Sequence, residues 1–332
     1  MKKDDRDLLA LTILRDLPSL PFTDKASPDQ QTGAKEMINN EITNAMNQSA
    51  GDQDLGIWIT TGASKEIPFV RKAIEELGGR WKGDAYLGTN LSGYRCEIPS
   101  KDPGKLFRFA LIAASHDGKQ AQSNLVHRIR NGADPKAIIL VGMMGGIPGR
   151  VDLLDVVIPT VVYDGTNVGT EDNKPKWART SRPVHEKFAS VSATFTAEIA
   201  EEFNFAYKNT KRVVTTGATI EDTNQELFEE IVGHDAGEIV GMEMEGYAVV
   251  DASTDQQGDN KNVVFGFVKA VADYGKQDLP ARQIEILQEA IPELKDVTEI
   301  KPRSNPEQKK LIQGHATKIA FKCAIRLAEY IA

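Results

Sequence analysis

The sequence predicts an α/β protein in three layers, a central sheet with helices covering both of its faces. Short apolar runs recur from Leu55 onward: LGIWITT, LFRFALIAAS, AIILVGMM, DVVIPTVVY, RVVTTG, EIVGM and NVVFGFVKAVA. Several are apolar at successive positions, which suits strands buried on both faces. Helix-length amphipathic stretches fall between them, at Pro68 to Leu77, Gln120 to Asn131, Thr196 to Phe205, Asn224 to Val232 and Ala316 to Ile331. That alternation is the signature of a layered α/β domain. A chain of 332 residues with 40% apolar and 27% charged residues has the composition of a folded globular protein.

Taken in order, Asp5 to Leu17 carries leucines and an isoleucine at nearly helical spacing, and Pro18 to Gln31 reads as a loop. A second helical pattern runs from Gly33 to Gln48. The first 50 residues are too few for a core of their own and read as a helical accessory segment. Residues 51–332 form the main domain, within which the charged, proline-bearing stretch 277–310 reads as an insertion before the last helix. Pro159 removes a ladder donor from DVVIPTVVY, so that strand belongs at an edge or carries a bulge.

Forty basic against 48 acidic side chains leave a net charge of −8, which repels phosphate backbones and anionic lipid. Nucleic acid and membrane are therefore not expected partners. Cys96 and Cys323 stand far apart and match no metal or disulfide pattern, and the five histidines have no ligand spacing, so no metal is expected. The start MKKDDRDLLALTILRDL lacks an apolar run of signal or membrane-spanning length, and the expected location is the cytoplasm.

Four segments could carry chemistry. The glycine-rich Val141 to Gly149 follows the strand AIIL, but Arg150-Val151 cannot complete a phosphate loop and no helix opens there for a dinucleotide. What remains is a turn where backbone at Gly142 and Gly145 approaches either a ligand or a packed neighbour. In Gly241 to Tyr247, Glu243 and Glu245 flank Met244 where a strand runs into a helix. Glu245 there either balances the helix dipole or accepts hydrogen bonds from a vicinal diol such as a ribose. Asp273 ends the strand VVFGFVKAVA, as a turn former or as an acid at the edge where open α/β sheets bind ligands. Glu66 follows IWITTGASK, with Ser64 as a helix N-cap, and is either a dipole partner or a base.

In this order the four segments resemble the nucleoside phosphorylase and nucleosidase superfamily, from about Leu55 to the C-terminus. The sequence is about as similar to effector-type members of bacterial defence systems as to housekeeping methylthioadenosine/adenosylhomocysteine nucleosidases. The resemblance implies a three-layer αβα sandwich around a mixed sheet. It places Glu66 as the catalytic base, Met244 and Glu245 at the ribose with Glu243 beside them, and Asp273 at the purine. Gly118 and Gly142 to Gly146 match the glycine helix and turn. Leu154 stands where a glycine is usual, and Leu140 and Met143 stand where phosphate-using members place an arginine and a hydroxyl. Thr219 or Ile220 takes the place of a base-stacking aromatic, which adds Ile220 to the expected substrate contacts.

These residues imply a hydrolase that releases free base from a purine nucleoside or nucleotide, with water activated by Glu66 and no cofactor. A phosphate-dependent purine nucleoside phosphorylase and a non-catalytic purine nucleotide-binding module are the alternatives. A homodimer or larger homo-oligomer is implied by the same resemblance.

Overall fold

The ten-residue run AIILVGMMGG is almost wholly apolar or glycine, so its backbone must find hydrogen bonds without water, in the middle of a sheet. The computed structural model puts it there. It describes residues 55–62, 64–86, 92–113, 135–171, 174–209, 212–216, 225–234, 238–254, 263–275 and 278–332. The expected accessory segment 1–50, the helix at 120–131, Gly118, Thr219 and Ile220 lie outside the described residues.

The chain enters through β1 (Ile57–Thr61), a single 3-10 turn (Ser64–Glu66) and α1 (Ile67–Glu76). Then come β2 (Arg80–Tyr86), β3 (Ser92–Pro99), β4 (Leu106–Ala113) and β5 (Ala137–Gly146). Next are β6 (Val156–Ile158), β7 (Val161–Asp164), β8 (Val168–Glu171), β9 (Lys174–Trp177), β10 (Ser181–Pro183) and α2 (Glu186–Phe203). The remainder is β11 (Tyr207–Asn209), β12 (Arg212–Thr215), α3 (Gln225–His234), β13 (Ile239–Glu243), α4 (Gly246–Thr254), β14 (Val264–Asp273), α5 (Ala281–Ala290), a second 3-10 turn (Pro292–Leu294) and α6 (Pro306–Ile331).

Twelve strands form one mixed sheet in the order β10-β7-β12-β13-β5-β1-β4-β3-β2, with β14 paired to β5 and β6, and β11 to β6. The strands β4, β1, β5 and β14 are parallel, so β1, β5 and β14 end on one edge, whereas β13 runs antiparallel to β5. Helix α6 lies against β5 and β14 with α1 and α2 beside it, and α4 packs on β14, β7 and β10. This is the expected three-layer α/β architecture. Its main core runs from Leu55 to Ile331, and a smaller one gathers Ile147, Trp177, Val214, Ile231, Ile239 and Met242.

Three expectations need correction, and one hairpin is not announced by the sequence. DVVIPTVVY is two strands, because the missing N–H of Pro159 ends the ladder: β6 pairs with β14 and β11, and β7 with β12 and β10. Helix α6 starts at Pro306, ten residues before the apolar pattern; the Asn305 side chain accepts from the N–H groups of Glu307 and Gln308, a cap hidden inside a stretch that reads as loop. Helix α2 starts at Glu186, where His185 Nδ1 accepts from the Lys187 N–H. Its polar first half masks the period, since Ser192 and Thr196 turn their hydroxyls back onto the Ala189 and Ser192 carbonyls. The hairpin β2–β3 alternates charged and aromatic residues and escapes a search for apolar runs, although Trp81 and Tyr94 pack with centroids 4.2 Å apart.

Helix α5 and the second 3-10 turn lie within segment 277–310, and Leu287, Ile291, Leu294 and Ile300 belong to the main core. Among the described residues no helix is long and apolar enough to cross a membrane.

Candidate active site

Where β1 ends alongside the middle of β5 and β14, four charged side chains meet around Gly142. Glu66 closes the 3-10 turn after β1 and is 3% exposed. It stands at the N-cap of α1, not inside its first turn, and its carboxylate caps nothing in its own helix. Instead Oε1 accepts from the Met143 N–H at 3.3 Å. A Cβ on Gly142 would lie 2.6 Å from that same oxygen, so β5 can approach the carboxylate only because Gly142 has no side chain. The packed neighbour left open by the sequence is therefore Glu66.

Glu245 arrives from the other side. Strand β13 ends at Glu243, Met244 is half-buried in the turn, and Glu245 immediately precedes α4. The buried Glu245 carboxylate lies over the end of β1, where a Cβ on Gly62 would come within 2.8 Å of it. Glu243 is committed to the turn itself. Its Oε2 accepts from the N–H groups of Glu245 (2.9 Å) and Gly246 (2.8 Å), and Oε1 accepts the Thr215 hydroxyl. Thr215 in turn accepts the Tyr247 N–H at 2.7 Å. Burial pushes the Glu243 carboxyl above the usual carboxylate range, against the pull of a neighbouring cation.

That cation is Lys269, 1% exposed in the middle of β14 and in register with Gly142. Its Nζ lies 3.0 Å from Glu245 Oε2 and 3.7 Å from Glu243 Oε2. Burial alone would drive the ammonium toward neutrality, but Glu245, Glu243 and Glu66 outweigh it and hold its pKa above the ordinary lysine value. Lys269 does not stand out in the sequence because nine apolar or glycine neighbours make the run look like core. The signal was there: lysine is almost never fully buried without a partner, so a lysine inside such a strand demands carboxylates nearby.

Asp273 lies at the end of β14, half-buried, on the same edge as Glu66 and opposite Gly145. Its Oδ1 accepts the Gly275 N–H at 3.0 Å. From Gly142 to Gly145 is three strand residues, about 10 Å. The structure thus brings Glu66, Glu243, Glu245 and Lys269 into one cluster at Gly142, and sets Asp273 further along the strands, at the end of β14. Leu140 is fully buried in β5. Arg182 pairs with Asp251 at 3.0 Å. Among the described residues no group of three or more His, Cys, Asp or Glu is arranged to hold a metal ion.

The departure at Leu154 has a backbone counterpart. Leu154 has φ +66°, in the left-handed region where glycine is favoured, and its N–H donates to the Val271 carbonyl at 2.8 Å.

Comparison with known proteins places the chain in a family. The chain resembles a 5′-methylthioadenosine/S-adenosylhomocysteine nucleosidase from Neisseria meningitidis solved with methylthio-immucillin-A (16% identity, TM-score 0.55, 82% of this chain and 98% of that one). It also resembles futalosine hydrolase of Helicobacter pylori (10%, TM-score 0.54, 82% and 97%) and the apo 5′-methylthioadenosine nucleosidase of Arabidopsis thaliana (16%, TM-score 0.52, 83% and 95%). At these identities the likeness establishes the fold. No curated protein sequence matches. The model of the phosphorylase superfamily matches residues 104–299, more than half of the 332. By that match, and with a sheet of the same fold, the chain belongs to the phosphorylase superfamily.

Proposed function

We propose that the protein is a purine nucleoside or nucleotide N-ribosyl hydrolase that releases free base by attack of water at the anomeric carbon. The observation that supports this best is the approach of the Glu66 carboxylate to Gly142 and of the Glu245 carboxylate to Gly62, just after β1, with Asp273 about 10 Å further along the strands. Solved proteins of this fold include nucleosidases for methylthioadenosine and a hydrolase for futalosine, which agrees with the reading.

Cleavage of an N-glycosidic bond builds positive charge on the sugar and negative charge on the departing base. In this proposal Glu66 accepts a proton from water as the oxygen bonds to the anomeric carbon. Glu245 accepts hydrogen bonds from ribose hydroxyls beside Met244, and Lys269 fixes the carboxylate for that task. Glu243, its lone pairs used by Thr215, Glu245 and Gly246, shapes the turn and does not itself touch the sugar. Asp273 hydrogen-bonds to N7 or gives it a proton as the bond electrons pass to the purine. Water rather than phosphate suits the site, because Leu140 is sealed in the core and Met143 offers no oxyanion donor from its side chain.

Chromatography of a purine nucleoside and nucleotide panel, with and without phosphate, tests this. Free base plus ribose or its 5′-substituted form, at a rate independent of phosphate, is expected. Ribose 1-phosphate would make the protein a phosphorylase, and binding without release of base would make it a binding module.

A further inference from the structure

Helix α5 reaches the loop behind Asp273 through one side chain, and that loop holds both sides of an irregularity in β14. Strand β14 pairs with β5 regularly through Val271↔Met144 and then skips to Asp273↔Gly145, leaving Ala272 as an extra residue. A bulge of this kind re-aims the side chains that follow it, and a slip of one residue would turn Asp273 to another direction. Something must choose between the two registers.

The loop 151–155 touches β14 on either side of the extra residue. Before it, the Val271 carbonyl accepts from the Leu154 N–H (2.8 Å) and the Val271 N–H donates to the Asp155 carbonyl (3.0 Å). After it, the Tyr274 hydroxyl donates to the Val151 carbonyl at 2.7 Å. The loop itself is not in a low-energy conformation: Leu154 at φ +66° costs about 1–2 kcal/mol relative to a right-handed backbone. Within it, the Asp152 N–H donates to Asp155 Oδ2 at 3.0 Å. From outside, Gln283 of α5 holds the loop from both ends of its amide. Its Oε1 accepts the Leu153 N–H at 2.8 Å, and its Nε2 donates to Asp152 Oδ1 at 2.6 Å. Gln283 is 6% exposed, at a position where packing alone would favour an apolar residue, and both of its polar atoms are spent on this loop.

We infer that Gln283 is a positioning residue for Asp273, acting through loop 151–155 and the β14 bulge. This rests on the reading of Asp273 as the group that meets the leaving base. Segment 277–310 thereby acquires a part in the reaction through Gln283.

The test swaps the direction of one hydrogen bond. Gln283→Glu keeps the acceptor for the Leu153 N–H but sets a carboxylate against Asp152. Adding Asp152→Asn supplies an amide that donates to the new carboxylate and rebuilds both bonds. With a purine nucleoside that the wild type cleaves, Gln283→Glu should lower kcat by about 10- to 100-fold with KM changed less than about threefold, the scale of a small misplacement of a reacting group. The double variant should recover most of that loss. Amide hydrogen exchange of the peptide spanning Val271 to Gly275 should accelerate in Gln283→Glu and slow again in the double variant. Unchanged kcat and exchange in Gln283→Glu, or a double variant no better than the single one, overturns the inference. Because exchange is read without substrate, a wild type that releases no base would defeat the hydrolase reading by itself, while the exchange result still decides whether Gln283 sets the segment that bears Asp273.

Discussion

Lys101 lies 2.7 Å from Glu198 on the outside of the helical layer, with side chains 26% and 61% exposed. Lys269 lies 3.0 Å from Glu245 inside the sheet, with side chains 1% and 9% exposed. Distance barely separates the two pairs; solvent does. At the surface, water already solvates each ion, Lys101 also has Glu202 and the Tyr330 hydroxyl within reach, and losing one bond is readily made good. Inside the sheet, where Lys269 has only other buried carboxylates near it, water can replace neither ion. The buried pair therefore fixes a geometry that the exposed pair cannot, and it sits where carboxylates of the proposed reaction meet.

Removing the buried cation gives the largest expected effect. Lys269→Met leaves Glu243 and Glu245 buried without their counter-charge and should cost about 3–5 kcal/mol in urea unfolding. Lys269→Arg, which keeps the charge, should cost less. A loss under about 1 kcal/mol for the methionine variant would show that water reaches the cluster and that the contrast with the surface is not one of burial.

A half-buried group should fall between the extremes. Burial first, and then the cations Lys318 and Lys322 on α6, lower the pKa of His315 from its ordinary 6.5 to about 4. Between those two values the unfolded chain binds a proton that the native protein refuses, so native stability falls as pH falls through that window. From pH 7 to pH 5 the loss should be about 1–2 kcal/mol, and His315→Gln should flatten it. Equal acid sensitivity of the variant and the wild type in denaturant titrations at the two pH values would remove His315 as the cause.

The third expectation concerns backbone rather than charge. At most buried sites glycine destabilises more than alanine, but Leu154 is left-handed. Leu154→Gly should therefore be more stable than Leu154→Ala by about 1 kcal/mol, although both lose the leucine side chain. The usual order, alanine above glycine in thermal or urea unfolding, would contradict a strained backbone there. Smallest is Lys101→Ala, expected to cost less than about 1 kcal/mol and to be diminished further by salt.

The same contrast explains what could be read from sequence. Strands β5 and β14 are legible because a sheet interior needs apolar residues on both faces, and Glu66, Glu245 and Asp273 are legible because each interrupts an apolar pattern at its end. Lys269 interrupts such a pattern in the middle, where a search for apolar runs absorbs it. The glycine turn is visible as a close approach, but the approaching group, Glu66, lies 76 positions before Gly142 and is known only once β1 and β5 are paired. Gln283 is less legible still: it meets Leu153 across 130 positions, within a proline-bearing stretch that reads as an insertion. Helix starts at Glu186 and Pro306 depend on caps from His185 and Asn305, single polar residues that resemble any loop residue until the helix behind them exists.

Turnover by Glu66→Gln, measured as free purine released under single-turnover conditions alongside equilibrium binding of the same nucleoside, tests the central claim most directly. The substitution keeps the size of the side chain and its contact with Gly142 and removes only the ability to take a proton from water. Loss of turnover by orders of magnitude with purine binding largely retained is expected, and Asp273→Asn should behave alike. Near-normal release of base by Glu66→Gln would contradict the account.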